Sequence, residues 1–521
     1  CVQETGVIAT SFTGCFGRKK SGEAFSMPIM DEPTSLDPQI ADSNSEKLVA
    51  ANCYEGLVRI MADGTIGKGV ATDWNISDDG LTYTFKLRNN SHWAMFSGHK
   101  AVLGENYEDT FDITVKAEDF KFGIERTLSE QTGSADAPLF SAVKSISTPD
   151  DFTIVFNLSY ADDNFLYALT NPGAMPCDEE FFNLTNGKYG LDAKYLLCNG
   201  PFHVSKWTEK TSVKLAKNNE YNGESSVSPS SVTFYINNDD SEVADKMNSV
   251  TYDVAFLSSS QFSSIENKKD LNSVAVQNVT YSFIFNQNDN NYRNKNMRLA
   301  FCRSCDTSSL FDSQSDISKA DGIVPPSCKI GGEDYRNGNA AELLSYDETL
   351  AKKNFNDALL DLGSSSVETT ILCTEQYEPF VKQMVQKLQK TLGVKFVSTV
   401  KVVSESDLEA AVNDGNYSVA FYPFKAKSSF AGEIIEGFDQ NNIFGYESDV
   451  LSQKIRNIKN NSGSLEGERS AVADAENYLV SEAVIMPVFY ENSYFVTSKK
   501  TSGIYFYSSA DNVCFINAKK S

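Results

Sequence analysis

The chain runs to 521 residues, more than one hydrophobic core normally organises, so two or three domains are expected. Its net charge of −24, with no long Lys/Arg run, leaves none of the basic footprint that nucleic-acid binding needs. No apolar run approaches the roughly 18–20 residues of a membrane-spanning helix, and the many Tyr and Phe suit either an aromatic-lined cleft or an ordinary β-rich core.

The first 25 residues or so are polar and read as a tether. Asp78-Asp79-Gly80 is a turn signal, after which Leu81, Tyr83, Phe85 and Leu87 alternate with Thr82, Thr84, Lys86 and Arg88, predicting a strand with one buried face. His92 and His99 fall in a hairpin-like excursion with Trp93, Met95 and Phe96, where a surface or capping role is expected of each. From Ala117, Phe120, Ile124 and Leu128 recur every four residues. Glu118 and Asp119 in the first turn and Arg126 late match the dipole of a helix.

Pro149-Asp150-Asp151 leads into a second alternating strand through Phe152, Ile154, Phe156 and Leu158. Ten cysteines permit disulfides without a dense framework, and Cys177 and Cys198 are close enough in sequence to be a plausible pair. Met297 to Cys302 reads as a helix with Cys302 and Cys305 on one face. No second pair or nearby His completes a zinc site there, so buried small side chains are expected and a redox role is the second reading.

Phe355, Ala358, Leu359 and Leu362 give a helix stopped by Gly363 and followed by a strand over 367–373. Val381, Met384, Val385, Leu388 and Leu392 give another, ended by Gly393, after which Val394-Lys395-Phe396 resumes as a strand. Such alternation indicates an α/β lobe. Ala471, Ala475, Tyr478 and Leu479 mark a last helix leading to a strand over 484–490.

No catalytic signature accompanies these elements. The three histidines, His92, His99 and His203, form no H-E-x-x-H, G-x-S-x-G does not occur, and neither enzymatic activity nor a cofactor or metal is expected.

Other motifs do stand out. Tyr54-Glu55-Gly56-Leu57-Val58 opens a block that continues through Val70-Ala71-Thr72-Asp73-Trp74 and Leu81 to Arg88 and closes with Lys116 to Arg126. Before it stands Glu32-Pro33-Thr34-Ser35-Leu36-Asp37-Pro38. After it come Cys198-Asn199-Gly200-Pro201-Phe202 with Trp207, then Leu215 to Tyr221, Phe285-Asn286 with Asn294 to Phe301, and Ile485-Met486-Pro487-Val488-Phe489-Tyr490. In this order the motifs resemble those of the extracellular solute-binding proteins of family 5, the peptide-binding components of ABC importers.

The resemblance implies an α/β fold, two-lobed and periplasmic-binding-protein-like (class II, cluster C type), with an additional inserted α+β domain. Lobe one is placed at 1–54, 173–280 and 491–521, the insertion at 55–172 and lobe two at 281–490. It implies capture, with an extended peptide added as a strand and the lobes closing on it for delivery to a permease. It also implies a monomer held at the outer face of a bacterial membrane, or in the periplasm, by a lipid anchor on Cys1, with Cys15 as the alternative anchor.

Ligand contacts carried over from the resemblance are Ala41, Asp42 and Ser43; Phe256, Ser258 and Ser259; Tyr281 and Phe283; and Phe421, Tyr422, Phe424, Lys425 and Lys427. The last group departs from the family pattern, because Lys427 stands where relatives carry the carboxylate that pairs with the peptide's α-ammonium. A lysine facing that ammonium in a closed cleft is unfavourable by several kcal/mol. Either Asp42 supplies the carboxylate, or the ligand offers an anion to Lys425 or Lys427, or the loop is misaligned and both lysines are solvated. The alternative ligand is a non-peptide solute, an anionic small molecule or an oligosaccharide. Scarce His argues against nickel or haem, and only Trp74, Trp93 and Trp207 are at hand for sugar platforms.

Overall fold

The computed structural model describes residues 22–61, 65–223, 225–307, 311, 316–425, 430–439, 442–461, 464–507 and 513–521. Cys1, Cys15 and Lys427, and with them the anchor and the tether up to residue 21, lie outside the described residues, while Ala24 and Phe25, expected in the tether, already belong to a strand. The chain divides into two compact units, one holding the described residues up to Val276 and again from Ser493 onward, the other residues 277–492.

In the first unit, β1 (Ala24–Ile29) leads to α1 (Asn44–Cys53), β2 (Ala71–Ile76), β3 (Thr82–Leu87) and α2 (Ala117–Leu128). Then follow β4 (Val143–Asp150), β5 (Thr153–Leu158), β6 (Phe202–Thr208), β7 (Ser212–Lys217), β8 (Ser231–Ile236) and β9 (Val254–Ser258). One sheet has the order β2-β3-β5-β4 and is antiparallel throughout. The expected alternation puts Tyr83 opposite Phe156 and Phe85 opposite Ile154, all buried, while Lys86 is exposed. A second sheet has the order β1-β8-β7-β6, with β1 and β8 parallel.

α2 packs through Phe120, Gly123, Ile124 and Thr127, and Leu128, expected in the buried stripe, is exposed. The reason is a close approach. A Cβ on Gly123 would overlap the Met175 carbonyl, the Thr127 hydroxyl donates to Gly173 O at 2.7 Å, and Cys177 N–H donates to Asp119 O at 2.9 Å. The contact face is thereby turned toward Gly123 and Thr127, away from Leu128.

The second unit opens on β10 (Leu271–Phe285), which enters it from the first. It continues with α3 (Lys295–Ser304), α4 (Glu348–Leu362), β11 (Val367–Cys373), α5 (Glu378–Leu392), β12 (Phe396–Val402), β13 (Val419–Lys425), α6 (Asp449–Asn460) and α7 (Leu465–Ser481). β14 (Ile485–Ser498) runs beside β10 and carries the chain back into the first unit, where its end pairs with β9. Within the second unit β10, β13, β11 and β12 lie in that order, the last three parallel to one another.

Both faces of this sheet are covered. Phe283, Phe285 and Phe421 pack with Phe301, Phe355, Met384 and Leu388, while Ile284, Leu372 and Ala420 pack with Ile455, Ile458, Val472 and Leu479. Successive strand residues therefore enter opposite cores, as the pleat dictates. Gly363 ends α4 in the left-handed region (φ 60°) as expected. Beyond Gly393, Val394 and Lys395 form a turn, and the strand starts only at Phe396; Val394, 96% exposed, has no face to bury. Cys302 and Cys305 are buried, and burial pushes the Cys302 thiol up to about 12.

His99 departs from the expectation of a surface role. It is 1% exposed, its ring lies 4.3 Å from Phe96 and 5.5 Å from Phe181, and its Nε2 meets Leu196 O at 3.1 Å. Burial lowers its pKa from 6.5 to about 4. Between those values the unfolded chain binds a proton that the folded chain does not, so stability falls as pH drops from 6.5 toward 4. Urea unfolding at pH 7 and pH 4.5 should show a loss that is smaller in His99→Leu than in the parent by about 2–3 kcal/mol. Equal losses in the two proteins would remove His99 as the cause.

Candidate functional site

In the first unit the loop 37–43 is built from its backbone outward. Asp37 caps the 3₁₀ turn Pro38–Ile40, its Oδ1 accepting from Gln39 N–H at 3.1 Å. Its carboxylate also takes Arg126 at 2.6 and 3.2 Å, and Arg126 bonds Gln39 Oε1 at 2.6 Å and lies 4.1 Å over the Phe182 ring. Leu36 N–H donates to Gly190 O at 2.8 Å. Gly190, at φ 77°, stands so close to Asp37 that a side chain there would collide.

After Ala41, which is buried, Ser43 caps α1 in a capping box with Glu46. The Glu46 carboxylate accepts from Thr34 N–H and Oγ1 at 2.8 Å each, Ser35 N–H at 3.3 Å, Asp42 N–H at 3.0 Å and Ser43 N–H at 3.1 Å. Burial works to raise its pKa, but the hydrogen bonds from Asp42, Thr34 and Ser43 outweigh that and hold it below its usual value. Glu46 thus fixes the backbone on both sides of Asp42. The Asp42 side chain itself is exposed and makes no hydrogen bond among the described residues, so a carboxylate is presented on a rigid loop.

Phe256 packs 5.1 Å from Phe495 and 5.3 Å from Phe506. Ser258 is committed to capping the short helix Ser259–Ser264, accepting from Gln261 N–H at 3.2 Å while Gln261 Oε1 accepts from its own N–H at 2.7 Å; Ser259 is buried.

In the second unit the register sets Phe283 opposite Phe421, Ser282 opposite Tyr422 and Thr280 opposite Phe424. Tyr281, Phe283 and Phe421 therefore share one face, and Tyr422 and Phe424 share the other. Consecutive strand residues cannot line one surface. Phe283 and Phe421 are 0% and 1% exposed, with rings 4.9 Å apart and Phe301 a further 5.2 Å from Phe283, so both are core side chains. Tyr281 is half-buried, its ring packing 4.3 Å from Tyr377 and 5.1 Å from Phe489. Phe424 packs 5.7 Å from Phe438 and from Phe444, and Lys425 is exposed at the strand end opposite Val279.

Two residues beside Tyr281 escaped the sequence reading. Tyr377 donates its hydroxyl to Glu491, which also accepts from Gln376 Nε2 at 3.3 Å, and burial raises the Glu491 carboxyl above its usual value. The available signal was a single charged residue, Glu491, in the otherwise uncharged run 483–498. Among the described residues no group of three His, Cys, Asp or Glu is placed to hold a metal ion.

The sequence signature described as "Bacterial extracellular solute-binding proteins, family 5 Middle" matches residues 65–444. The chain belongs to family 5 of the bacterial extracellular solute-binding proteins. Its relatives include the "Dipeptide-binding protein DppE" of Bacillus subtilis, 24% identical over 91% of this chain and 88% of that protein. Among solved structures, "Listeria monocytogenes OppA bound to peptide" is 20% identical with a TM-score of 0.75, covering 96% of this chain and all of that one. A binding protein of A. tumefaciens R10, AgaA in complex with agropinic acid, is 17% identical with a TM-score of 0.72, covering 96% and 100%. The expected two-lobed α/β fold of the family is thereby shown. In this family-5 chain the block 54–126 lies wholly in the first unit and supplies scaffold: Glu55 pairs with Arg88, and Arg126 with Asp37.

Proposed function

We propose that this protein captures extracellular peptides and delivers them to the permease of an ABC importer, acting as a lipid-anchored monomer without catalysis. Membership of a solute-binding family supports capture as the task, and relatives named for dipeptides and oligopeptides support the ligand class. The observation that carries the reading on this chain is Asp42, an exposed carboxylate on a loop whose backbone Glu46 holds in place. Such a group can pair with a peptide's α-ammonium without an ordering cost for the loop. Of the proposed contacts, Asp42, Ser43, Phe256, Ser258, Tyr281, Tyr422, Phe424 and Lys425 retain exposure; Ser43 and Ser258 are spent on helix caps, and the other six are assigned to the ligand.

Native mass spectrometry of protein purified from its host's medium identifies what it carries. Calorimetry with that peptide and its N-acetylated form should then show the free form binding at least tenfold more tightly, about 1.4 kcal/mol. Asp42→Asn should close the gap. Equal binding of both forms removes the role of the amino terminus.

Lys425 supports a second reading, an anionic solute, and the structural neighbour crystallised with agropinic acid is one case of this fold with a non-peptide ligand. On that reading acetylation is without effect and Lys425→Gln weakens binding.

A further inference from the structure

Two of the free thiols meet. Cys53 ends α1 and Cys198 stands shortly before β6, and their backbones run side by side. Gly200 N–H donates to Cys53 O at 2.9 Å, Glu55 N–H to Asn199 Oδ1 at 3.0 Å, and Asn199 Nδ2 to Glu55 O at 2.8 Å. The approach is tight enough that a Cβ on Gly200 would overlap the carbonyl of Cys53 and the nitrogen of Tyr54. Across this seam the Cys53 and Cys198 thiols are neighbours that act on one another, and both residues are buried. Cys177, the partner expected for Cys198, instead has its sulfur 3.6 Å from Arg126 Nη1.

We propose that Cys53 and Cys198 form a disulfide in the exported protein. A family of extracellular proteins works where disulfides persist. The reaction is thiol–disulfide exchange with the disulfide of an oxidoreductase or a small thiol. Both S–H protons leave, an S–S bond forms between Cys53 and Cys198, and two electrons cleave the incoming disulfide to two thiols. Exchange requires a thiolate, and burial pushes the Cys53 thiol well up, so the bond forms while the chain is still closing around the pair. It joins the end of α1 to the segment before β6 and restrains the long unfolded loop from 53 to 198. It thereby anchors the helix whose other end carries Ser43 and Asp42.

The full chain is refolded in a mixture of oxidised and reduced glutathione and digested without reduction, and its peptides are weighed. The expected product is the Cys53 and Cys198 peptides linked and lighter by two hydrogens. The thermal midpoint should lie several degrees above that of the same protein refolded in reductant. Cys177→Ala should keep both the link and the midpoint gap, and Cys53→Ala should lose both. Free, alkylatable Cys53 and Cys198 in the oxidatively refolded protein, a Cys198–Cys177 link, or a gap that survives in Cys53→Ala overturns the proposal.

Discussion

Glu476→Ala is expected to destabilise the second unit by about 3–5 kcal/mol, because it leaves a buried guanidinium without its counter-charge. The Glu476 and Arg336 side chains are 1% and 9% exposed. One oxygen of Glu476 accepts from Arg336 Nη1 at 2.9 Å and from the Tyr335 hydroxyl at 3.1 Å. The other accepts from Val324 N–H at 3.0 Å and from Arg336 Nη2. Arg336 Nε is spent on Val324 O at 2.7 Å, so a single carboxylate joins the segments 324 and 335–336 to α7. Gly322 lies against the pair, and a Cβ there would run into both side chains. Denaturant unfolding should show the full loss in Glu476→Ala and most of it recovered in the Glu476→Leu, Arg336→Met double variant, where no charge is stranded. A single-variant loss below about 1 kcal/mol would mean the pair behaves as a solvent-screened surface bridge.

Asp37→Ala should be nearly as damaging in the first unit, by about 3 kcal/mol or more, and should reach beyond stability. Arg126 would remain beneath Phe182 with only Gln39 and the Cys177 sulfur to accept from it, and the turn 38–40 would lose its cap at the same time. That turn leads directly into Asp42. Ligand affinity should therefore fall together with the unfolding midpoint. In Gln39→Ala, which leaves the ion pair intact, the midpoint should change far less. Unchanged stability in Asp37→Ala would show that Gln39 and the aromatic faces suffice for the guanidinium.

The parts legible in sequence were those with one wet face. Tyr83, Phe85, Ile154 and Phe156 alternate with polar residues because their sheet buries one side, so a period of two named the strands and their inner residues. The same reasoning could not sort Phe421 from Tyr422, because β13 is covered on both faces and Val419 to Phe421 reads as a continuous apolar run, nor Phe283 from Tyr281, which share one face and differ only in depth. α2 was recognised from its spacing, yet its contact face was misjudged by one residue, since a glycine chosen for close approach leaves no hydrophobic mark. His99 and the Cys53–Cys198 pair escaped for another reason: both depend on segments about a hundred or more positions apart, a separation local patterns do not record.

The return of the chain through β14 also fixes the order in which the two units can be completed. Residues 277–492 form one uninterrupted stretch, so everything the second unit needs exists before the last residues are made. The first unit has to wait. β9 finds its partner only at 493–497, and Asn52 in α1 bonds Val513 O at 2.8 Å and Phe515 N–H at 3.3 Å. Phe25, in the first strand of the chain, packs 6.2 Å from Phe515 near its end. The first unit is therefore the last to close, and β9, whose partner lies at 493–497, needs shielding from other chains until those residues emerge.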